Sequence, residues 1–463
     1  MSRVGIIMGV LLFGACTGTE VPAEADVDTD ADSDTDTDPD TAETGDLETG
    51  GDTGAHTGDT ATTELDDCPA VLAADPAVST GLFDLPTFGA GDASLVWCDF
   101  DTPGEVWSRR SDPLRATGAV FGTDVEIVIA DPDVLVDEAG TWHIWYQGSR
   151  APAFGDPADM IVAHGTSPDG LTWTVDATPA LGAPSDPTAW DATHAETPSV
   201  VYDPDAPPGY AYKMYYSGAV DTHPLGFPQY GIGLAVSGDG VTFTRIDPSL
   251  SFYGEAGALL RVQEALADVP FLEGGVVADP EAFIDETGRY HLFFSSFGHD
   301  AGFTQQVFGI THLESDDGIV WEAGPNGFQI DPALGGQQPS VAFNPSTGLY
   351  EMVFTSDLDE ERLDIPSTFN PSMGVLLATS PDLDTWTAPP VPAGRDFWWD
   401  GDHPREDLGL LTGAALHIQD GERWLFYTGW STIDVPAGSF VTTQTGFSPG
   451  VLNLLLAKRT SVP

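Results

Sequence analysis

Three acidic residues recur beside prolines along this chain, in Ala130-Asp131-Pro132, Glu196-Thr197-Pro198 and Ala278-Asp279-Pro280. Two further segments, Gln338-Pro339-Ser340 and Thr412-Gly413-Ala414, take the same register without an acid. Paired carboxyl groups flanking a sugar ring are what cleavage of a glycosidic bond requires. One protonates the leaving oxygen, and the other activates water or attacks the anomeric carbon. A third can tune the acid, because like-charge repulsion keeps a neighbouring carboxyl protonated. Asp131, Glu196 and Asp279 are therefore the candidate catalytic set. The plain structural alternative is that acids are abundant here, 73 Asp and Glu against 15 Lys and Arg, so three can fall together without chemistry. The prolines read as scaffold: proline is tolerated at a strand start and pushes the preceding residue into an extended geometry.

The elements that must carry these residues repeat. Five times a turn runs into a short aromatic strand, and aligning Tyr146, Tyr216, Phe294, Phe354 and Tyr427 gives steps of 70, 78, 60 and 73 residues. A period of that length means a repeat architecture, with about one four-stranded blade per repeat. A second signature follows in the same order: Ser167-Pro168-Asp169-Gly170-Leu171-Thr172-Trp173, its counterparts at 237–243 and 315–321, and a looser one at 380–386. Asp-Gly makes a tight turn between strands, and the aromatic three residues on packs beneath the blade. The expected fold is all-β, a five-bladed β-propeller over residues 113–463, with the proline segments on the innermost strands. The fifth repeat ends before any outer turn and strand, so a segment near 104–110 is expected to complete it and remove exposed sheet edges. One helix is expected, over residues 255–267.

The N-terminus reads differently. Arg3, an apolar run over 4–13 and Gly14-Ala15-Cys16 have the form of a cleaved secretory signal and resemble a bacterial lipoprotein signal, which makes Cys16 the lipidation site. The run is too short to span a bilayer. Residues 17–67 hold 18 Asp or Glu and neither Lys nor Arg, with few large apolar residues, so this segment is expected to be a disordered acidic linker. The expected placement is extracytoplasmic, lipid-anchored to the bacterial outer membrane or cell surface, with the N-terminal lipid as the sole membrane contact. Beyond residue 67 the net charge is still −41, which repels phosphate backbones and polyanions. Nucleic acid is excluded as a partner, and a neutral glycan is the expected substrate of a monomer.

Cys68 and Cys98 are the other cysteines, and in an oxidising compartment a disulfide is the default. Residues 68–101 resemble the first segment of a fibrinogen-like domain but lack the glycine cluster expected before Trp107. Residues 94–107 also align without gaps on 160–173. The second reading makes residues 68–112 a disulfide-stapled cap that feeds the ring.

Five blades, inner strands opening Ala-Asp-Pro, the run from Asp279-Pro280-Glu281 to Gly288-Arg289-Tyr290, and the Ser-x-Asp-Gly hairpins together resemble the five-bladed propeller glycosidases. That superfamily includes glycoside hydrolase family 43 arabinanases and xylosidases, with the invertases and levansucrases. The resemblance implies that Asp131 is the general base or nucleophile, Asp279 the acid-tuning aspartate, and Glu196, in Glu-x-Pro, the general acid. The order departs from the family, in which the acids run Asp, Asp, Glu over successive blades.

Around this set, Trp398 and Trp399 offer a stacking platform for sugar C–H faces, or packing. His194 and Gln338 are candidate hydrogen-bonding partners for sugar hydroxyls. Asp400, Asp402, His403 and Glu406 are oxygen-rich enough to interest Ca²⁺ but show no ligand spacing, so no cofactor and no metal is expected. The sequence has no phosphate-binding glycine loop, Gly-x-Ser-x-Gly or His-Glu-x-x-His. The expected function is an O-glycosyl hydrolase acting on neutral poly- or oligosaccharides; the alternative is a non-catalytic carbohydrate- or protein-binding surface propeller.

Overall fold

The computed structural model describes residues 67–79, 81–85, 95–100, 105–110, 114, 118–119, 125–151, 159–220, 230–260, 273–299, 306–330, 334, 336–357, 373–388, 410–431, 441–443, 446–448 and 451–461. The signal, Cys16, the acidic segment, Trp398, Trp399 and the acidic residues after them lie outside this set.

Five antiparallel sheets follow one another around a ring. Their inner strands are Val125–Val136, His194–Tyr202, Glu273–Ile284, Gly336–Asn344 and Leu410–Gln419, each beside the next, with the last against the first. Each sheet continues outward through a second strand, Trp142–Ala151, Tyr212–Ala219, Tyr290–His299, Leu349–Asp357 or Glu422–Ser431, and then a third. The fold is all-β with five blades, numbered I to V here.

Period-2 alternation on the second strands explains why a ring forms. Tyr146, Tyr216, Phe294, Phe354 and Tyr427 are fully buried, and each packs against the preceding blade. The residues one step earlier, Trp145, Tyr215, Phe293, Val353 and Phe426, point the other way and pack against the following blade. Each sheet is thus apolar on both faces, and a closed ring is the arrangement that covers all ten. Trp145 Nε1 and Tyr215 OH fasten these interfaces by donating to the carbonyls of Gly240 and Gly318 in the next blade's hairpin, at 2.9 and 2.8 Å. The hairpins form as read: the N–H of Gly170 donates to Ser167 Oγ at 2.9 Å, and Asp169 Oδ1 accepts from Leu171 and Thr172. In the looser fourth copy Leu383 takes the glycine's place at φ +66.

Glu105–Arg110 pairs antiparallel with Val451–Ser461 as the fourth strand of blade V, so a strand that precedes blade I in sequence completes the last blade. Leu95–Asp99 and Gly81–Asp84 extend that sheet further outward. Cys98 on the middle strand is bonded to Cys68 in the helix Cys68–Ala74, which Asp67 caps through Ala70 N–H at 2.8 Å. The helix expected over 255–267 does not form in its described part. Ala258–Leu260 is a strand on the outer edge of blade II, because its apolar side chains cover that sheet and Gly257 allows the turn at φ +76. Among the described residues no helix is long and apolar enough to cross a membrane.

Candidate functional site

Each inner strand is interrupted at the same point. Asp131, Thr197, Asp279, Gln338 and Gly413 have φ of +46, +47, +51, +50 and +53. The strand registers shift at or beside each of them. The extended geometry expected before proline is therefore corrected: these residues are left-handed, and the four that are not glycine carry strain of about 1–3 kcal/mol each. Four of the five are held by a belt of hydroxyls on the second strands. Thr428, Ser217, Ser295 and Thr355 accept the N–H of Asp131, Asp279, Gln338 and Gly413, respectively, at 2.8, 2.8, 2.8 and 3.3 Å, always from the preceding blade.

The five left-handed residues and the positions after them line one pocket on the ring axis, enclosing about 340 Å³ including its open mouth. Asp131 and Asp279 both open into it, with Thr197, Gln338, Glu281 and Ser340. Glu196 does not. It stands one residue before the left-handed position, so the expectation that it projects to the axis is corrected, and Thr197 takes that place. Glu196 is buried, with Oε2 accepting from Gln147 Nε2 at 2.8 Å and Oε1 3.5 Å from His194 Nδ1. His194 is buried beside it, 3.4 Å from Tyr230 OH, and is likewise not among the pocket residues.

Gln338 is the residue that ties the site together. Its Oε1 accepts from Thr412 Oγ1 and from Gly413 N–H, which orients the amide so that Nε2 donates to Asp131 Oδ1 at 3.2 Å. The other oxygen, Asp131 Oδ2, is buried with no hydrogen-bond partner. A Cβ at Gly413 would lie 1.9 Å from Asp131 Oδ1, so the missing acid in blade V makes room for the acid in blade I.

The electrostatics follow from burial. Desolvation, then the charges of Asp279 and Glu196, push Asp131 well above the usual carboxylate range. Desolvation also raises Asp279 to about 7, opposed by a hydrogen bond from Ser295 and reinforced by Glu196. A deeper layer was not anticipated from the sequence. Asp133 and Glu281 lie two residues beyond Asp131 and Asp279, and desolvation raises Asp133 to about 6 and Glu281 well above its ordinary value. They belong to a second belt, in which Asp133, Ser199, Glu281 and Ser340 accept the N–H of Val200, Ala282, Val341 and Leu416 in the following blade. The period-2 spacing in Asp131-Pro132-Asp133 and Asp279-Pro280-Glu281 is the signal that could have found them.

Away from the axis, His291, His312 and Glu314 are close enough to share a metal ion. The two histidines hydrogen-bond each other at 2.9 Å and Glu314 is paired with Arg289 at 2.7 Å, while His312 Nδ1 is buried without a hydrogen-bond partner.

No family model matches the sequence, and no curated protein matches it. Among solved structures the chain is similar to a glycoside hydrolase, at 15% identity over 75% of this chain and 90% of that one, with a TM-score of 0.49. It is also similar to an exo-1,5-α-L-arabinanase from a bovine ruminal metagenomic library, at 15% identity, coverage of 72% and 98% and a TM-score of 0.42. A third is the Bombyx mori family 32 β-fructofuranosidase, at 14% identity, coverage of 74% and 62% and a TM-score of 0.47. The blade count rests on the strand pairing.

Proposed function

We propose that this chain is a glycoside hydrolase of neutral saccharides, working through Asp131 and Glu196 with Asp279 in support. The observation that carries the reading is the pair Asp131 and Asp279, which line one pocket on the ring axis, with Asp131 Oδ2 buried and without a hydrogen-bond partner. Three carboxyl groups in one another's field cannot all ionise cheaply, so the cluster holds a proton at neutral pH, as general acid catalysis needs. A sugar hydroxyl donating to Asp131 Oδ2 would lower that group's pKa and let it act as the base when the site is filled. We also propose placement outside the cytoplasm, where a disulfide such as Cys68–Cys98 persists, and, from the form of the first sixteen residues, Cys16 as the lipid anchor. Mass spectrometry of the mature N-terminus tests that part.

One observation favours a second reading, a saccharide-binding propeller without turnover: Glu196 is enclosed by Gln147 and His194 and does not line the pocket. Glycan-array binding measured alongside reducing-sugar release separates the two. On the hydrolase reading Asp131→Asn, Glu196→Gln and Asp279→Asn each lower turnover, by about 10²–10⁴-fold for the acid and the base. Binding without release by the wild type supports the second reading, and turnover indifferent to all three substitutions overturns the choice of carboxylates.

A further inference from the structure

The belt of hydroxyls around the axis has one break. The residue after the buried second-strand aromatic is Ser217 in blade II, Ser295 in blade III, Thr355 in blade IV and Thr428 in blade V, each accepting a backbone N–H from the next blade. In blade I the same position, after Tyr146, holds Gln147. Its side chain does not repeat the pattern. It is fully buried, and Nε2 donates to Glu196 Oε2 at 2.8 Å, while Oε1 has no hydrogen-bond partner.

That arrangement is worse for stability than the one in the other four blades. A buried amide carbonyl without a partner carries a desolvation penalty that a serine or threonine hydroxyl avoids. The residue is also matched to a single event across the interface. Glu196 stands where the other inner strands carry Ala130, Ala278, Gln337 and Thr412, so the one carboxylate at this register faces the one amide in the belt.

We infer that Gln147 is a positioning residue for Glu196, holding the buried carboxylate of blade II in a fixed orientation. The inference rests on the hydrolase reading for the purpose of that orientation, but the hydrogen bond and its geometry do not depend on it. An amide suits the task because it is neutral. It orients the group through one N–H without the full counter-charge an arginine or lysine would bring, and so leaves the field of Glu196 acting on Asp131 and Asp279.

Two substitutions separate positioning from structural support. Gln147→Met keeps the length of the side chain and removes the donor; Gln147→Thr installs the hydroxyl used by blades IV and V. Melting temperatures, kcat and KM on a hydrolysed glycan, and crystal structures are measured for both. The expected result is a melting temperature at or above wild type in Gln147→Thr. In both variants kcat falls about 10- to 100-fold, as for loss of a hydrogen bond to a charged group, with KM nearly unchanged. Unchanged kcat in Gln147→Met overturns the inference, and so does a loss of activity that tracks a loss of melting temperature in both variants. If the wild type hydrolyses no glycan, the hydrolase reading fails by itself. The positioning inference is then decided by the Gln147→Met crystal structure, where a Glu196 carboxylate turned from its present orientation supports it and an unmoved one overturns it.

Discussion

Thr428 Oγ1 accepts the backbone N–H of Asp131 at 2.8 Å, across 297 residues of sequence. The bond joins the last blade to the first and fixes the strained residue on which the proposed chemistry depends. Ring closure and site geometry are therefore one problem, because Asp131 keeps its positive φ only while blade V is seated beside it.

Gly413→Ala tests this from the other side. The added methyl would sit 1.9 Å from Asp131 Oδ1, at a position that already has φ +53. Asp131 must move, and displacement of a reacting group by about 1 Å costs on the order of 10²-fold in rate. Saccharide turnover is expected to collapse while circular dichroism still reports an all-β fold; full activity in this variant would show that the Asp131 position does not matter.

Asp279 makes stability depend on pH in an unusual direction. Its folded pKa, about 7, lies above the ordinary aspartate value, so the stability linked to its proton is present below pH 3.8 and lost as pH rises through 7. Between pH 5 and 8 this amounts to at most about 3 kcal/mol, reduced by water in the pocket, since the side chain is only half-buried. Asp279→Asn should therefore lose less melting temperature than wild type between these two pH values. Parallel curves for the two proteins would show that Asp279 titrates normally.

Ser295 serves two blades, accepting Gln338 N–H from blade IV and donating to Asp279 in its own. Ser295→Ala removes a hydrogen bond to the charged form of Asp279, so that pKa rises further, by about one unit. Carboxyl-carbon NMR titration of Asp279 should show the upward move, and a fall would contradict the assigned donor.

Closure by the N-terminal strand predicts that deleting residues 101–112 destabilises the whole ring, since Trp107 packs with Val353, Leu425, Tyr427 and Leu455 at the interface of blades IV and V. Opening the disulfide, whose cysteines are 30 residues apart, should cost about 3–4 kcal/mol in the chain-entropy model. Calorimetry of the deletion variant and of Cys98→Ser checks both, and unchanged melting in the deletion variant would rule out closure by this strand.

Much of the ring was legible because its causes are local. Tyr146 and its four counterparts are large apolar residues at a fixed phase of a strand, and the Ser-x-Asp-Gly turns satisfy their own backbone within seven residues. The segment near 104–110 that was expected to complete blade V does so, with Glu105–Arg110 paired to Val451–Ser461.

Residue types and spacing alone determined five blades, apolar on both faces, with Asp131, Asp279 and Gln338 at equivalent points on their inner strands. What only the tertiary structure decided is which way each side chain at those points turns. Whether Glu196 or Thr197 meets the axis depends on a left-handed residue and a register shift, where the Thr197 hydroxyl meets Ser217 Oγ on the second strand of its own blade. The partners of Glu196 and Asp131, Gln147 and Gln338, lie 49 and 207 residues away. Such pairings are set by the burial of five interfaces at once, a long-range balance that no local pattern records.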